Sequence, residues 1–407
     1  MPTPSSGLES AGVAGTPARD EAIAGSVIAA IRSAIPGAPS GATVALHEPS
    51  FGGREWDYVK DCIDTGWVSS VGSYVDRFEQ MLAERVDVPS AVATVNGTAA
   101  IHAALLIAGV QPNDEVVIPT LTFVATANAV AYCGAVPHFV DSSWLTLGMD
   151  PTRLTRYLAT IGERRGSNFF NRATGRVIRV VMPMHTYGHP VDLEPMVELC
   201  RDLGIVLVED AAEALGSSYK GRPAGGLGDL GVLSFNGNKT ITTGGGGAIV
   251  TRDKSLAERA KHLTTTARLK NGWRFDHDMV GYNYRLPNLN AALGCAQLEQ
   301  LDGFLARKRA LALRYQKAFA GIGGVRSFVE PPFATSNYWL NVLLLDEAVS
   351  DARDVVLDRT NKAGLQTRPC WTLMHRLPMF RDCPRDDLSV AEAIDACLIN
   401  IPSSPSL

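Results

Sequence analysis

From Ser90 onward, short apolar runs alternate with longer segments in which apolar residues recur at helical spacing. Ala91–Val95 reads as a strand, Gly97–Gly109 as a helix, Asp114–Pro119 as a strand, Thr122–Gly134 as a helix and Val136–Val140 as a strand. The rhythm resumes with strands at Arg176–Pro183, Ile205–Asp210, Gly231–Asn236 and Gly247–Thr251, with a helix near Leu193–Leu203 among them. Strands this continuously apolar are covered on both faces, so the pattern predicts an α/β fold with a mostly parallel sheet flanked by helices. Pro287–Leu301 opens on proline and predicts a long helix leaving this unit. Beyond it, a strand at Trp339–Leu345 and helices at Ala352–Ala363 and Val390–Leu398 predict a smaller C-terminal α/β domain. The expected division is a loose tail over 1–20, an amphipathic helix (Ala22–Ile35) and linker over 21–46, a large domain over 47–286, and a connecting helix with the small domain over 287–407.

Composition narrows the function classes. With 407 residues, 46% of them hydrophobic, the chain can bury a sizeable core. Its net charge of -4, without a Lys/Arg block, argues against nucleic acid or an anionic membrane as partner. Seven scattered cysteines, an odd number without a CxxC pair, fit reduced thiols and a cytoplasmic location. Met1–Asp20 lacks the basic and apolar regions of a secretory signal, and the longest apolar runs are too short for a membrane span.

Candidate chemistry gathers at strand ends. In Ser234–Gly247 (SFNGNKTITTGGGG) Lys239 follows a predicted strand and precedes four glycines. Such a lysine is either a turn cation at the surface or, where burial lowers its pKa, an amine able to form an imine with an aldehyde. Asp210 ends the strand IVLVED, at the edge where open α/β sheets place ligands. It either caps a following helix or keeps a pyridine nitrogen protonated so that the ring can accept electrons. Asn96–Ala99 (NGTA) joins a strand to a helix, and backbone amides there, with Gly97 permitting close approach and Thr98 adding a hydroxyl, suit a phosphate. Ser234 is a second phosphate donor candidate, and Phe123, after the strand VVIP, could cover a flat heterocycle instead of packing in the core. Jointly these signals point to pyridoxal 5'-phosphate.

These motifs carry a resemblance. From about His47 to the end the chain resembles the DegT-type nucleotide-sugar aminotransferases, of the fold type I architecture, with NGTAA, PTLTFVATANA, VEDAAEALGS, SFNGNK and GYNYRLPNLNAALG in the family's order. The resemblance implies that Lys239 binds the cofactor aldehyde, that Asp210 pairs with the pyridinium, that Thr98, Ala99 and Ser234 hold the phosphate, and that Phe123 covers the ring. It places Glu213 near the cofactor and His185 at the substrate pocket. It implies a homodimer with shared sites, in which Asn283 reaches the neighbouring subunit's cofactor phosphate, and glutamate as amino donor in a ping-pong scheme. The family's dehydratase branch has His in place of the lysine, so Lys239 favours transamination. A catalytically silent binding or sensor protein is the competing class, and intact Lys239 and Asp210 argue against it.

Two further motifs lead elsewhere. GLGDLG (Gly226–Gly231) precedes a strand instead of opening a helix, which fails the dinucleotide context, and His185 and His189 in HTYGHP lack a helix to align them on a metal, so none is expected. For the substrate, the lysine segment together with HLTTTARL, LPMFRDCP and INIPSS resembles the branch serving legionaminic-acid-type pathways. That implies a UDP-linked 2-acetamido-2,6-dideoxy-4-keto hexose aminated at its 4-position, with GDP-4-keto-6-deoxymannose, the perosamine precursor, as the alternative. Ser69 and Ser70 in GWVSSVG offer hydroxyls for the diphosphate.

Overall fold

A computed structural model describes residues 16–38, 41–269 and 273–407. Its centre is a seven-stranded sheet of β1 (Ser90–Thr94), β2 (Glu115–Pro119), β3 (Val136–Val140), β4 (Ile178–Val181), β5 (Val206–Asp210), β6 (Leu230–Ser234) and β7 (Gly247–Thr251). The spatial order is β1-β7-β6-β5-β4-β2-β3, and only β7 runs against its neighbours. All five residues of both β2 and β7 are buried, as their unbroken apolar character requires of strands covered on both faces. One cover is the helix Gly97–Ile107, whose Ala100, Ala103 and Ala104 are fully buried and let it lie close to the sheet.

The C-terminal unit is an antiparallel sheet ordered Val325–Ser327, Asn341–Leu345, Leu398–Ile401, Arg368–Pro369, flanked by Arg353–Lys362 and Ser389–Cys397. The strand Leu398–Ile401, hidden in the sequence behind the end of a helix, occupies an inner position there. The expected helix Pro287–Leu301 is shorter, with Pro287 capping Asn288–Leu298, and a separate, unexpected 19-residue helix follows over Leu301–Phe319. The N-terminal helix begins at Pro17, not Ala22, so 17–20 are helical instead of a loose tail. Proline in the first turn and Asp20 near the positive end of the helix dipole favour that earlier start. Its buried Ala24, Val27 and Ile31 share a core with Leu343 and Ile399 of the small sheet. Residues 1–15 of the expected tail lie outside the described residues. Among the described residues no helix is long and apolar enough to cross a membrane.

Candidate active site

The carboxyl ends of β1, β2, β5 and β6 open on one pocket of about 270 Å³, and Gly97, Thr98, Phe123, Asp210, Glu213, Ser234 and Lys239 all line it. Strand order explains the convergence: the loops after these parallel strands leave the sheet on the same edge.

Lys239 stands in the turn after β6, its side chain largely buried, with Nζ 3.0 Å from Glu213 Oε1 and 4.0 Å from the centre of the Trp339 ring. Trp339 is tied to the same turn, its indole N–H donating to the Asn238 carbonyl at 2.6 Å. The lysine is therefore held in the pocket and is not a surface turn cation. Glu213 is fully enclosed, and burial pushes its carboxyl up to about 7 although Lys239 and the Tyr187 N–H pull it down. Asp210 is also buried; burial raises its pKa, opposed by the Thr126 hydroxyl, which donates to Oδ2 at 2.7 Å. No helix follows Asp210, only turns, so the helix-cap role falls away. Its Oδ1 accepts from the Ala212 N–H at 3.2 Å.

Where β1 and β6 end, a Cβ on Gly97 would stand 2.8 Å from the Ser234 Cβ, so only glycine lets the helix start and β6 come together. Asn96 caps this helix by accepting the Ala99 N–H at 2.7 Å. This corrects the expectation for Ala99: its amide is committed to the cap, and Gly97 and Thr98 face the pocket in its place. Phe123 is 47% exposed at the rim and packs edge-on against Trp371, 6.0 Å between centres.

Other expected residues lie elsewhere. His185 does not line the pocket: it is wholly buried, Nδ1 accepting from the Val191 N–H at 3.2 Å and Nε2 bonded to Glu209 at 3.0 Å. Both ring nitrogens are used, which leaves nothing for a substrate. Glu209 in turn accepts the N–H groups of Gly225, Leu227 and Gly228, so the GLGDLG loop wraps a buried carboxylate. His189 packs between Phe328 and Tyr338, and no group of three metal-ligating side chains occurs among the described residues. Ser70 lines a separate groove that includes Gly72, Arg285 and Asn288, and the Ser69 carbonyl accepts the Asn288 N–H there at 2.7 Å. Asn283 is exposed and outside the pocket, its Oδ1 accepting from Arg285 at 3.2 Å. Thr126, Asn238, Trp339 and Trp371 were missed: the first two stand inside the PTLTFVATANA and SFNGNK motifs but nothing in the sequence shows that they face the pocket, and the two tryptophans arrive from the small unit.

The whole of 49–407 matches the model of the DegT/DnrJ/EryC1/StrS aminotransferase family. The chain belongs to this family. It is 37% identical to the GDP-perosamine synthase of Caulobacter vibrioides, over 89% of this chain and 94% of the relative. It is 39% identical to the GDP-perosamine synthase of Escherichia coli O157:H7, with the same coverage of 89% and 94%. In structure it resembles the aminotransferase TlmJ from Streptoalloteichus hindustanus, with a TM-score of 0.81 and 30% identity over 90% of this chain and 94% of that one. Membership makes the chain a pyridoxal-phosphate-dependent aminotransferase. The pocket fits that cofactor: a buried carboxylate, a lysine amine and a glycine-opened helix start share one cavity of about 270 Å³.

Proposed function

We propose that this nucleotide-sugar aminotransferase moves an amino group from glutamate to the 4-keto carbon of GDP-4-keto-6-deoxymannose. The supporting observation is end-to-end similarity, at 37% and 39% identity, to two GDP-perosamine synthases. The UDP-linked acetamido sugar expected from the lysine segment finds no such support and gives way to the alternative. Assayed side by side with glutamate, the GDP sugar should show the higher kcat/KM, by about tenfold or more if base contacts discriminate by about 1.4 kcal/mol. A preference for the UDP sugar would restore the first reading and leave the chemistry intact.

In this reading the side chains divide the work. Pyridoxal phosphate, when bound, supplies an aldehyde and an electron-accepting ring. Gly97, Thr98 and Ser234 would hold its phosphate, and Asp210 would keep a proton at its ring nitrogen. Lys239 Nζ would hold the aldehyde, and its amine is the group that would move the proton at the reacting substrate carbon. Glu213, 3.0 Å from Nζ and poised near neutrality, can exchange a proton with it. Trp339 and Trp371 add apolar walls to the pocket in which that exchange would occur.

The same reading includes a dimer in which Asn283 serves the neighbouring site. Supporting it, Trp273, Phe275, Met279 and Val280, just ahead of Asn283, are all more than half exposed, and an apolar face of that kind fits burial against a second copy. Mixing Lys239→Ala chains with Asn283→Ala chains should restore activity, because a hybrid then has one site carrying both lesions and one carrying neither. Silence after verified subunit exchange would sink the shared site.

A further inference from the structure

The cofactor pocket is small, so the reacting ends of both substrates need space beside it. Trp339, Trp371 and Asn238 are walls shared with a second chamber of about 490 Å³. Three polar atoms on its lining side chains, each side chain at least nine-tenths buried, have no hydrogen-bond partner among the described residues: the Tyr187 hydroxyl, His47 Nδ1 and Asn400 Oδ1. The Tyr187 hydroxyl lies near the Asn400 amide and the Cys370 thiol but meets neither in hydrogen-bond geometry. Buried polar groups ordinarily find partners, so three together mark a place built to receive a polar ligand. Tyr187 is further singled out by its backbone, at φ 56° and ψ 18° in the left-handed region that a bulky residue seldom adopts. Glu213 fixes that conformation by accepting the Tyr187 N–H at 2.9 Å, which couples the chamber to the carboxylate beside Lys239.

The charge pattern selects the ligand. Arg368 lines the chamber and no carboxylate does. Its Nη1 bonds Asn361 Oδ1 at 3.0 Å and the Thr367 carbonyl at 2.8 Å, and no described residue bonds Nε or Nη2, the edge suited to a paired contact with a carboxylate. Behind His47, the fully buried Lys308 holds the Trp339 and Ser403 carbonyls at 3.1 and 2.6 Å and His47 Nε2 at 3.0 Å. Burial pushes the Lys308 amine down to about 7. In its ammonium form, held below that pH, it donates to all three, and His47 Nδ1 is then an N–H donor. Residues carrying a guanidinium, a phenol and an imidazole thus line one cavity.

We propose that this chamber binds the carboxylate of the amino-acid donor, with Arg368 as its counter-ion and Tyr187 and His47 as directional hydrogen-bond donors. The assignment rests on the aminotransferase reading above. An α-carboxylate is bonded directly to the carbon that reacts, so its site must adjoin Lys239, whereas the diphosphate of a sugar nucleotide lies several bonds from the keto carbon.

Measuring the two half-reactions separately tests this. With pyridoxal phosphate loaded, Arg368→Met should raise the glutamate concentration for half-maximal loss of the visible cofactor band by about ten- to a hundredfold, and Tyr187→Phe by less, as expected for charge-assisted and neutral hydrogen bonds respectively. The reaction of the aminated enzyme with the GDP keto sugar should stay within about twofold, because uniform loss of donor binding does not touch that step. Glutarate, a dicarboxylate without an amino group, should compete with glutamate on the wild type and fail to do so on Arg368→Met; its wild-type competition stands as a test even if a variant misfolds. An unchanged glutamate dependence, or a loss confined to the sugar half-reaction, would overturn the assignment while leaving the aminotransferase reading in place. A wild type that forms the visible band but never loses it to glutamate would instead remove the reading on which the assignment rests.

Discussion

Lys239→Ala should reduce turnover by at least about a thousandfold, a loss of about 4 kcal/mol of transition-state stabilisation, while the fold survives. No neighbour can stand in for this lysine, because Nζ is the amine in the pocket and Glu213 and Trp339 beside it offer no nucleophilic nitrogen. The substitution also removes the cation that holds Glu213 down, so a carboxyl already raised to about 7 by burial rises further. A carboxyl whose folded pKa exceeds its unfolded value contributes stability below the unfolded value, here 4.5, and loses it as pH climbs through the folded value. The melting temperature of the cofactor-free variant should therefore fall relative to wild type as pH rises beyond about 7 and match it most closely in acid. Turnover by the variant near the wild-type rate would reject Lys239 as the cofactor-bound amine.

How far such residues can be read from sequence depends on whether their signal is local. The strands were legible because burial on both faces writes an unbroken apolar run, as in Glu115–Pro119 and Gly247–Thr251. Asp210, Lys239 and Gly97 were legible because each sits at a strand end in a loop whose composition departs from its surroundings. Ala99 and His185 were misplaced for a different reason: motif position does not reveal that a neighbour, Asn96 or Glu209, takes up the hydrogen-bonding group. Trp339 and Trp371 reach the pocket only when the small unit docks, a contact no window of sequence contains. The helices Glu55–Thr65 and Ser73–Val86 went unread because each buries only a narrow stripe, such as Tyr58 and Cys62, amid charged residues. Leu398–Ile401 is four residues long and follows a helix directly, so its apolar run looks like the continuation of that helix.

Asp210→Asn separates charge from geometry at the pocket floor. The amide keeps the shape of the carboxylate: its oxygen can still accept from the Ala212 N–H, and its NH2 can donate to the Thr126 hydroxyl, which then donates to Thr122, so the local turn should persist. Only the negative charge is lost, and with it the force that retains a proton on a ring nitrogen in a buried, weakly screened setting. We expect turnover to fall by about a hundred- to ten-thousandfold, about 3–5 kcal/mol, the range typical of a preorganised charge acting on the transition state. Stability should move the other way. An enclosed carboxylate is costly without its cationic partner, and burial already raises the Asp210 pKa, so the cofactor-free variant should melt at or above the wild-type temperature near neutral pH. Measuring kcat and the cofactor-free melting temperature together makes the test sharp: a residue that merely braces the turn would lose stability and spare kcat, and that outcome would reassign Asp210 as structural.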